Sequence, residues 1–296
     1  MSLSFLAGSN SFRTSAARAA AAVVCAAALS ACSPTGEESC NVTVSNPAMG
    51  YFVSRLAPAG VVVNVMIPQG ADHDSYTPRP GQMASLAESS AYMAFGPLEF
   101  ELTWRERIMA ASPKLKWCDV SEGIQLIASD HHHGHECQSA DPHYWLSPRQ
   151  AAKMSRNIAA ALKDIYPGQG EAIDSSLVRL LSDVGRADSA VSKVAQAKPG
   201  EAFVIYHPAL AYLARDYGFR QLCVGGDGMS PSPRRFAALA DSARLLGARV
   251  FFLQAGFAPD RVEATAAEMG ARVVRIQPES DDWFGTMNVI TSALNE

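Results

Sequence analysis

Short apolar, β-branched runs recur along the first part of the chain, separated by stretches with helical spacing. Asn41 to Ser45, Val61 to Ile67, Tyr92 to Gly96 and Lys116 to Val120 read as strands, with helical patterns between several of them. Ser147-Pro148 then opens a helix, because a capping hydroxyl followed by proline suits the first helical turn, and the helix runs to about Ile165 before Pro167-Gly168. From Gln169 to Ala197 there is no proline, Gly170 and Gly185 are the only glycines, and Leu177, Leu180, Leu181, Val184, Val191 and Val194 keep a helical repeat. That predicts one helix of about 26 residues, about 39 Å long at 1.5 Å per residue. Lys198-Pro199-Gly200 ends it, and the alternation resumes with strands Ala202 to Tyr206, Gln221 to Val224, Val250 to Gln254 and Arg272 to Ile276. Helices Pro208 to Tyr217, Pro233 to Leu246, Pro259 to Met269 and Asp282 to Leu294 separate or follow them. The predicted fold class is α/β: an N-terminal lobe over residues 40–168, a connecting long helix over 169–198 and a C-terminal lobe over 199–296, with no internal repeat.

The first 31 residues follow a different rule. They hold Arg13 and Arg18 but no acid, then the alanine-rich apolar run Ala19 to Leu29, and they stop at Leu29-Ser30-Ala31-Cys32. This is the layout of a signal peptide. The apolar run falls short of the roughly 20 residues needed to span a bilayer core. The last four residues are similar to the lipobox of bacterial lipoproteins, in which the cysteine, here Cys32, takes the lipid. The expected product is exported, periplasmic or at the cell surface, and anchored to a bacterial membrane, with residues 32–39 as a polar linker.

Export changes how the cysteines are read. Cys25 lies in the leader and Cys32 is the lipid site, which leaves Cys40, Cys118, Cys137 and Cys223 in a compartment where disulfides can form. Their spacing matches no CxxC zinc module, and three full pairings are open. The chain of 296 residues has a net charge of −4, and its leader contributes only positive charge. A mildly acidic mature chain speaks against nucleic acid as a partner and agrees with cation binding.

The candidate chemistry lies in histidines. Of the seven, five fall between Asp130 and Trp145: His131, His132, His133 and His135 as a run broken by Gly134, then His143. Asp74 follows the strand ending at Ile67, His207 ends the strand Ala202 to Tyr206, and Gln277 ends the strand Arg272 to Ile276, the side on which α/β folds bind ligands. His143 sits in the loop before the helix at Ser147. Taken singly, His207-Pro208 and Asp141-Pro142-His143 also read as ordinary turns. Two histidines brought from different lobes point to metal.

Gly70-Ala71-Asp72, Tyr76-Thr77-Pro78, Asp141-Pro142-His143-Tyr144-Trp145-Leu146-Ser147, Tyr206-His207-Pro208-Ala209 and Tyr217-Gly218-Phe219 together resemble the solute-binding proteins of zinc and manganese ABC importers. The likeness continues through Pro231-Ser232-Pro233, Phe251-Phe252-Leu253-Gln254 and Asp281-Asp282-Trp283, in the family's order and over nearly the whole mature chain. The resemblance implies two α/β lobes joined by one long helix, with a metal ion in the cleft between them. It implies His143 and His207 as cleft ligands, His131 to His135 as a metal-capture loop, and an ABC permease with its ATPase as partners. Histidine at 207 favours Zn²⁺ over Mn²⁺, since imidazole suits a tetrahedral zinc site and manganese prefers more oxygen donors.

The chain departs from the family pattern at two positions. Where the family reads Pro-His before one residue and Tyr, this chain has His73-Asp74-Ser75-Tyr76, so the register puts Asp74 at the ligand position, with His73 as the alternate. At the fourth position, often Asp, stands Gln277, with Glu279 and Asp281 as alternates. The expected function is capture of a divalent metal, zinc first, and delivery to an ABC permease, without enzymatic activity. A metal-sequestering or adhesin-like lipoprotein is the rival, and a metallohydrolase a remote one, since the chain has no HExxH helix and no Gly-x-Ser-x-Gly elbow. A GxxxxGK[ST] loop is missing too, so ATP hydrolysis falls to another subunit.

Overall fold

The computed structural model describes residues 41–128, 140–225, 232–255 and 259–296. The leader, Cys32, Cys40, His131, His132, His133, His135, Cys137 and Pro231 lie outside the described residues. Cys118 is a buried free thiol.

In the first half, β1 (Asn41–Val44), β2 (Val62–Val65), β3 (Ala91–Ala94) and β4 (Lys116–Asp119) form a parallel sheet in the order β2-β1-β3-β4. Helices α1 (Pro47–Leu56), α2 (Pro80–Ala87) and α3 (Glu99–Ala111) connect the strands. Every residue of β3 is buried, as expected of an inner parallel strand covered on both faces. A 3-10 turn, His143–Leu146, leads into α4 (Pro148–Ile165) and then α5 (Gly170–Ala197). α5 is the predicted connecting helix at 28 residues. It buries Ile173, Leu180, Val184, Ala187, Val191 and Val194, a single stripe at helical spacing.

The second half repeats the plan. β5 (Ala202–Ile205), β6 (Arg220–Cys223), β7 (Val250–Gln254) and β8 (Arg272–Ile276) form a parallel sheet ordered β6-β5-β7-β8. Helices α6 (Ala211–Tyr217), α7 (Pro233–Leu245), α8 (Pro259–Met269) and α9 (Trp283–Asn295) accompany it. Alternation along β5 splits its side chains between two cores: Ala202 and Val204 pack with Ala240 and Ala243 of α7 and with Val262 and Ala266 of α8, while Phe203 and Ile205 join the main core. Among the described residues, no helix is long and apolar enough to cross a membrane.

Local signals hold with three informative differences. Helix α6 begins at Ala211 rather than Pro208, because the preceding turn is closed by side chains: Leu210 N donates to Gln221 Oε1 at 2.9 Å. Gly218, at φ +78°, then terminates α6 in the left-handed conformation that glycine adopts without cost. Ser147 does precede α4, but its hydroxyl does not cap it and donates instead to Asp216 Oδ2 of α6 at 2.6 Å. At the chain's end, α9 crosses back to the first lobe. Trp283 packs 5.3 Å from Phe52 and 6.1 Å from Tyr51 of α1, ring centre to ring centre.

Candidate metal centre

Three histidines far apart in sequence meet where the two sheets present their carboxyl ends. His73 lies in the loop after β2, His143 opens the 3-10 turn and His207 follows β5. One ring nitrogen from each falls within 4.8 Å of the others. The Nε2 atoms of His73 and His143 are 3.3 Å apart. Glu279, in the loop after β8, brings Oε1 to 3.4 Å from His73 Nε2. A tetrahedral zinc ion with Zn–N bonds near 2.05 Å separates its ligand atoms by roughly 3.3 Å. Both measured edges are of that size.

Two of the rings are held from behind, and the third histidine is held by its backbone. Asp74 Oδ1 lies 2.8 Å from His73 Nδ1, the nitrogen that does not face His143. Asp141 Oδ1 takes both the backbone N–H of His143, at 2.8 Å, and its Nδ1, at 2.9 Å. These contacts leave Nε2 of both rings turned into the cluster. Gln254, buried at the end of β7, clamps the His207 backbone: its Oε1 accepts from His207 N at 3.2 Å and its Nε2 donates to His207 O at 2.6 Å. Metal-binding histidines are commonly oriented by a carboxylate or carbonyl in this way.

The electrostatics favour a cation. Burial alone would push His73 down, but the Asp74 carboxylate, then Glu279 and Asp72, raise it to about 9. His73 therefore carries a proton in the metal-free chain, in the space between the three rings. His207 is pushed the other way, to about 3, by burial and by the two neighbouring histidines. Against its partial desolvation, Asp74 is held below the ordinary carboxylate range by its hydrogen bond to His73. Burial raises Glu279, with the histidines opposing.

The sequence candidates divide accordingly. His143 and His207 are brought together, and the alternates His73 and Glu279 join them. Asp74 sits at the back of the His73 ring. Gln277 is exposed, its Oε1 accepting from Gln69 Nε2 at 2.5 Å across the cleft mouth. Asp281 is exposed to solvent. Asp141, Gln254 and the tryptophan pair act as further supports. Trp145 Nε1 donates to Pro278 O at 2.9 Å, and Trp283 Nε1 donates to Trp145 O at 2.8 Å, which fixes the Glu279 loop to the segment bearing His143. Only the Asp141-x-His143 spacing and the repeated Trp signalled these roles in the sequence.

Residues 42–296 match the ZnuA family, described as zinc-uptake complex component A, periplasmic. The zinc-binding lipoprotein AdcA of Streptococcus pneumoniae serotype 4 is 27% identical over 235 residues, covering 74% of this chain but 46% of AdcA, so the chain spans under half the length of that relative. The high-affinity zinc uptake system protein ZnuA of Bacillus subtilis is 24% identical over 237 residues, 76% of this chain and 73% of the relative. A crystal structure of ZnuA superimposes with a TM-score of 0.78 at 30% identity, over 86% of this chain and 97% of that one. The fold is shared as well by a Cd-bound periplasmic metal-binding protein from Candidatus Liberibacter asiaticus, TM-score 0.75 at 19% identity, over 86% of this chain and 99% of that one. Because the match runs from β1 to the last residue and takes in both sheets and the helix between them, the chain belongs to the ZnuA family of periplasmic zinc-uptake components.

Proposed function

We propose that this protein captures one Zn²⁺ outside the cytoplasmic membrane, through His73, His143 and His207 with Glu279 as the fourth donor, and hands it to an ABC permease driven by a separate ATPase. The observation that carries the reading is the pair of 3.3 and 3.4 Å edges around His73 Nε2, joined by His207 from the opposite lobe. His73 replaces Asp74 as the third ligand because its Nε2 faces the other rings, while Asp74 holds Nδ1. Three imidazoles and one carboxylate suit zinc better than manganese, which favours more oxygen donors.

Loading is an exchange of cations. The ion enters beside Asp72, Asp74 and Glu279, displaces the proton of His73 and finds His207 already neutral. Zinc then takes the positive charge that His73 supplied in the metal-free chain. Release is confined to loop and small lobe movements, since Trp145 to Pro278, Trp283 to Trp145 and Ser147 to Asp216 tie the two lobes together. The protein catalyses no reaction, in keeping with a family of binding components. A lipid on Cys32 keeps it at the membrane, a reading supported by the leader sequence and by a relative that is itself named a lipoprotein.

Competition titration of metal-free protein tests the site: His143→Ala and His207→Ala should each weaken zinc at least about tenfold, or 1.4 kcal/mol. Unchanged affinity in both would remove the cleft from the function. Zinc uptake by cells lacking the protein separates transport from sequestration. Impaired uptake without the protein, with growth under zinc limitation restored by its re-expression, supports transport, and normal uptake without the protein supports a sequestering role.

A further inference from the structure

Tyr212 lies on α6, five residues after His207, and its hydroxyl is buried at a crossing of the two lobes. It donates to the Asp141 carbonyl at 2.6 Å and accepts from the Ile127 backbone N–H at 3.0 Å. Asp141 N in turn donates to Ile127 O at 2.8 Å, and Ala128 bridges Ala140 beside it, so the hydroxyl closes a short antiparallel pair. Asp141 is also the residue whose carboxylate holds His143 at two points. The next turn of α6 adds to the tie. Arg215 stacks its guanidinium 4.9 Å from the Tyr212 ring centre and donates to Gln125 O at 2.6 Å. One short helix therefore carries His207 at its approach and grips, by side chains, the backbone that positions His143.

We propose that Tyr212 is a positioning residue of the metal centre: its hydroxyl fixes Asp141, and through Asp141 the His143 ring, relative to the lobe that carries His207. The proposal rests on the reading of the three histidines as zinc ligands. A tyrosine is suited to this post because burial pushes its phenol up to about 12, so at neutral pH it donates one hydrogen bond and accepts another. Without the hydroxyl, Asp141 O and Ile127 N lose a shared partner and the carboxylate behind His143 is free to shift. Groups that orient a ligand imidazole commonly change metal affinity by about 10- to 100-fold, and a group one contact further out should matter less, about three- to tenfold.

The test compares Tyr212→Phe with Tyr217→Phe in the full chain. Tyr217 is on the same helix and also loses a hydrogen bond, a part-buried one to Asp188 Oδ1 of α5 at 2.6 Å, but its hydroxyl does not bond Asp141 or Ile127. Zinc affinity by competition, zinc release into a chelator by stopped flow, and the visible absorption of Co²⁺-loaded protein are measured beside urea stability. Tyr212→Phe should bind zinc about three- to tenfold more weakly, release it faster and shift the Co²⁺ bands, whereas Tyr217→Phe should lose similar stability with parental metal properties. In an Asp141→Ala background the extra effect of Tyr212→Phe on zinc should vanish. In the unaltered protein, zinc should slow hydrogen exchange at the Ile127 amide, which keeps the test open should Tyr212→Phe fold poorly. Parental affinity and release in Tyr212→Phe, an equal loss in Tyr217→Phe, a full extra loss in the Asp141→Ala background, or zinc-independent exchange at Ile127 would each overturn the proposal. If zinc affinity survives His207→Ala, the ligand assignment falls and this proposal with it. Loss in His207→Ala with none in Tyr212→Phe overturns the positioning role alone.

Discussion

Glu101 is a carboxyl buried in the first lobe, and its protonation should make the protein more stable in mild acid. It is 1% exposed. Its Oε1 accepts from Ser45 Oγ and from Phe95 N, the latter at 2.8 Å, while Oε2 accepts from Gly96 N at 2.7 Å. Burial raises it from 4.5 to about 7, against the lowering effect of those donors and with Asp119 adding to the rise. Between these two values the unfolded chain gives up its proton and the folded chain keeps it. The folded state binds more protons, so stability falls as pH rises through this window. At about 1.36 kcal/mol per pH unit, the loss between pH 4.5 and 7 is roughly 3 kcal/mol. Glu101→Gln cannot titrate, and its amide N–H₂ would face one of the two backbone donors at a pH-independent cost of about 1 to 3 kcal/mol. The assay is urea unfolding of metal-free protein followed by tryptophan fluorescence at pH 4.5, 5.5, 6.5 and 7.5. Chelation matters because bound zinc would add its own pH-dependent stabilisation. The parent's advantage over Glu101→Gln should shrink by roughly 3 kcal/mol from the lowest pH to the highest, with other titrating groups cancelling in the difference. A difference constant with pH would show that Glu101 titrates alike in the folded and unfolded chain, and the reasoning from burial would fail.

Three further outcomes are expected. His73→Ala should weaken zinc by more than Asp74→Ala, which should cost about 10- to 100-fold as an orienting group; the reverse order in competition titrations would make Asp74 the ligand. With His73 raised to about 9 and His207 lowered to about 3, zinc binding at pH 7 should release close to one proton, and affinity should climb with pH up to that upper value. Calorimetry in buffers of different protonation enthalpy reads that proton, and a count of zero would exclude a protonated His73 as ligand. Gly96→Ala should lose about 1 to 3 kcal/mol in urea unfolding, because Gly96 sits at φ +94° and a Cβ there would lie 2.8 Å from both Asp119 carboxylate oxygens; parental stability would show that the turn relaxes freely.

What the sequence determined by itself was whatever is written in local repeats. Strand runs, the uninterrupted pattern from Gln169 to Ala197 and the breaks at Pro167-Gly168 and Pro199-Gly200 are decided by spacing within one or two turns of chain, so the alternation and the long helix were legible. His143 and His207 stood out because each adjoins a turn at the edge of an element. Tertiary structure alone decided which donor faces the histidine cluster. His73 and Asp74 are neighbours, and both carry metal-binding groups; the path of the loop after β2 turns one toward His143, 70 residues away, and leaves the other behind its ring. The same holds for Glu279 against Gln277, two residues apart on one loop, where the tryptophan clasp fixes which of them turns inward. The hydroxyl of Ser147, read as a helix cap, went to Asp216, and the last helix returned to α1 through Trp283. Local periodicity constrains a residue against its near neighbours, whereas coordination depends on the simultaneous positions of several loops whose separation only packing sets.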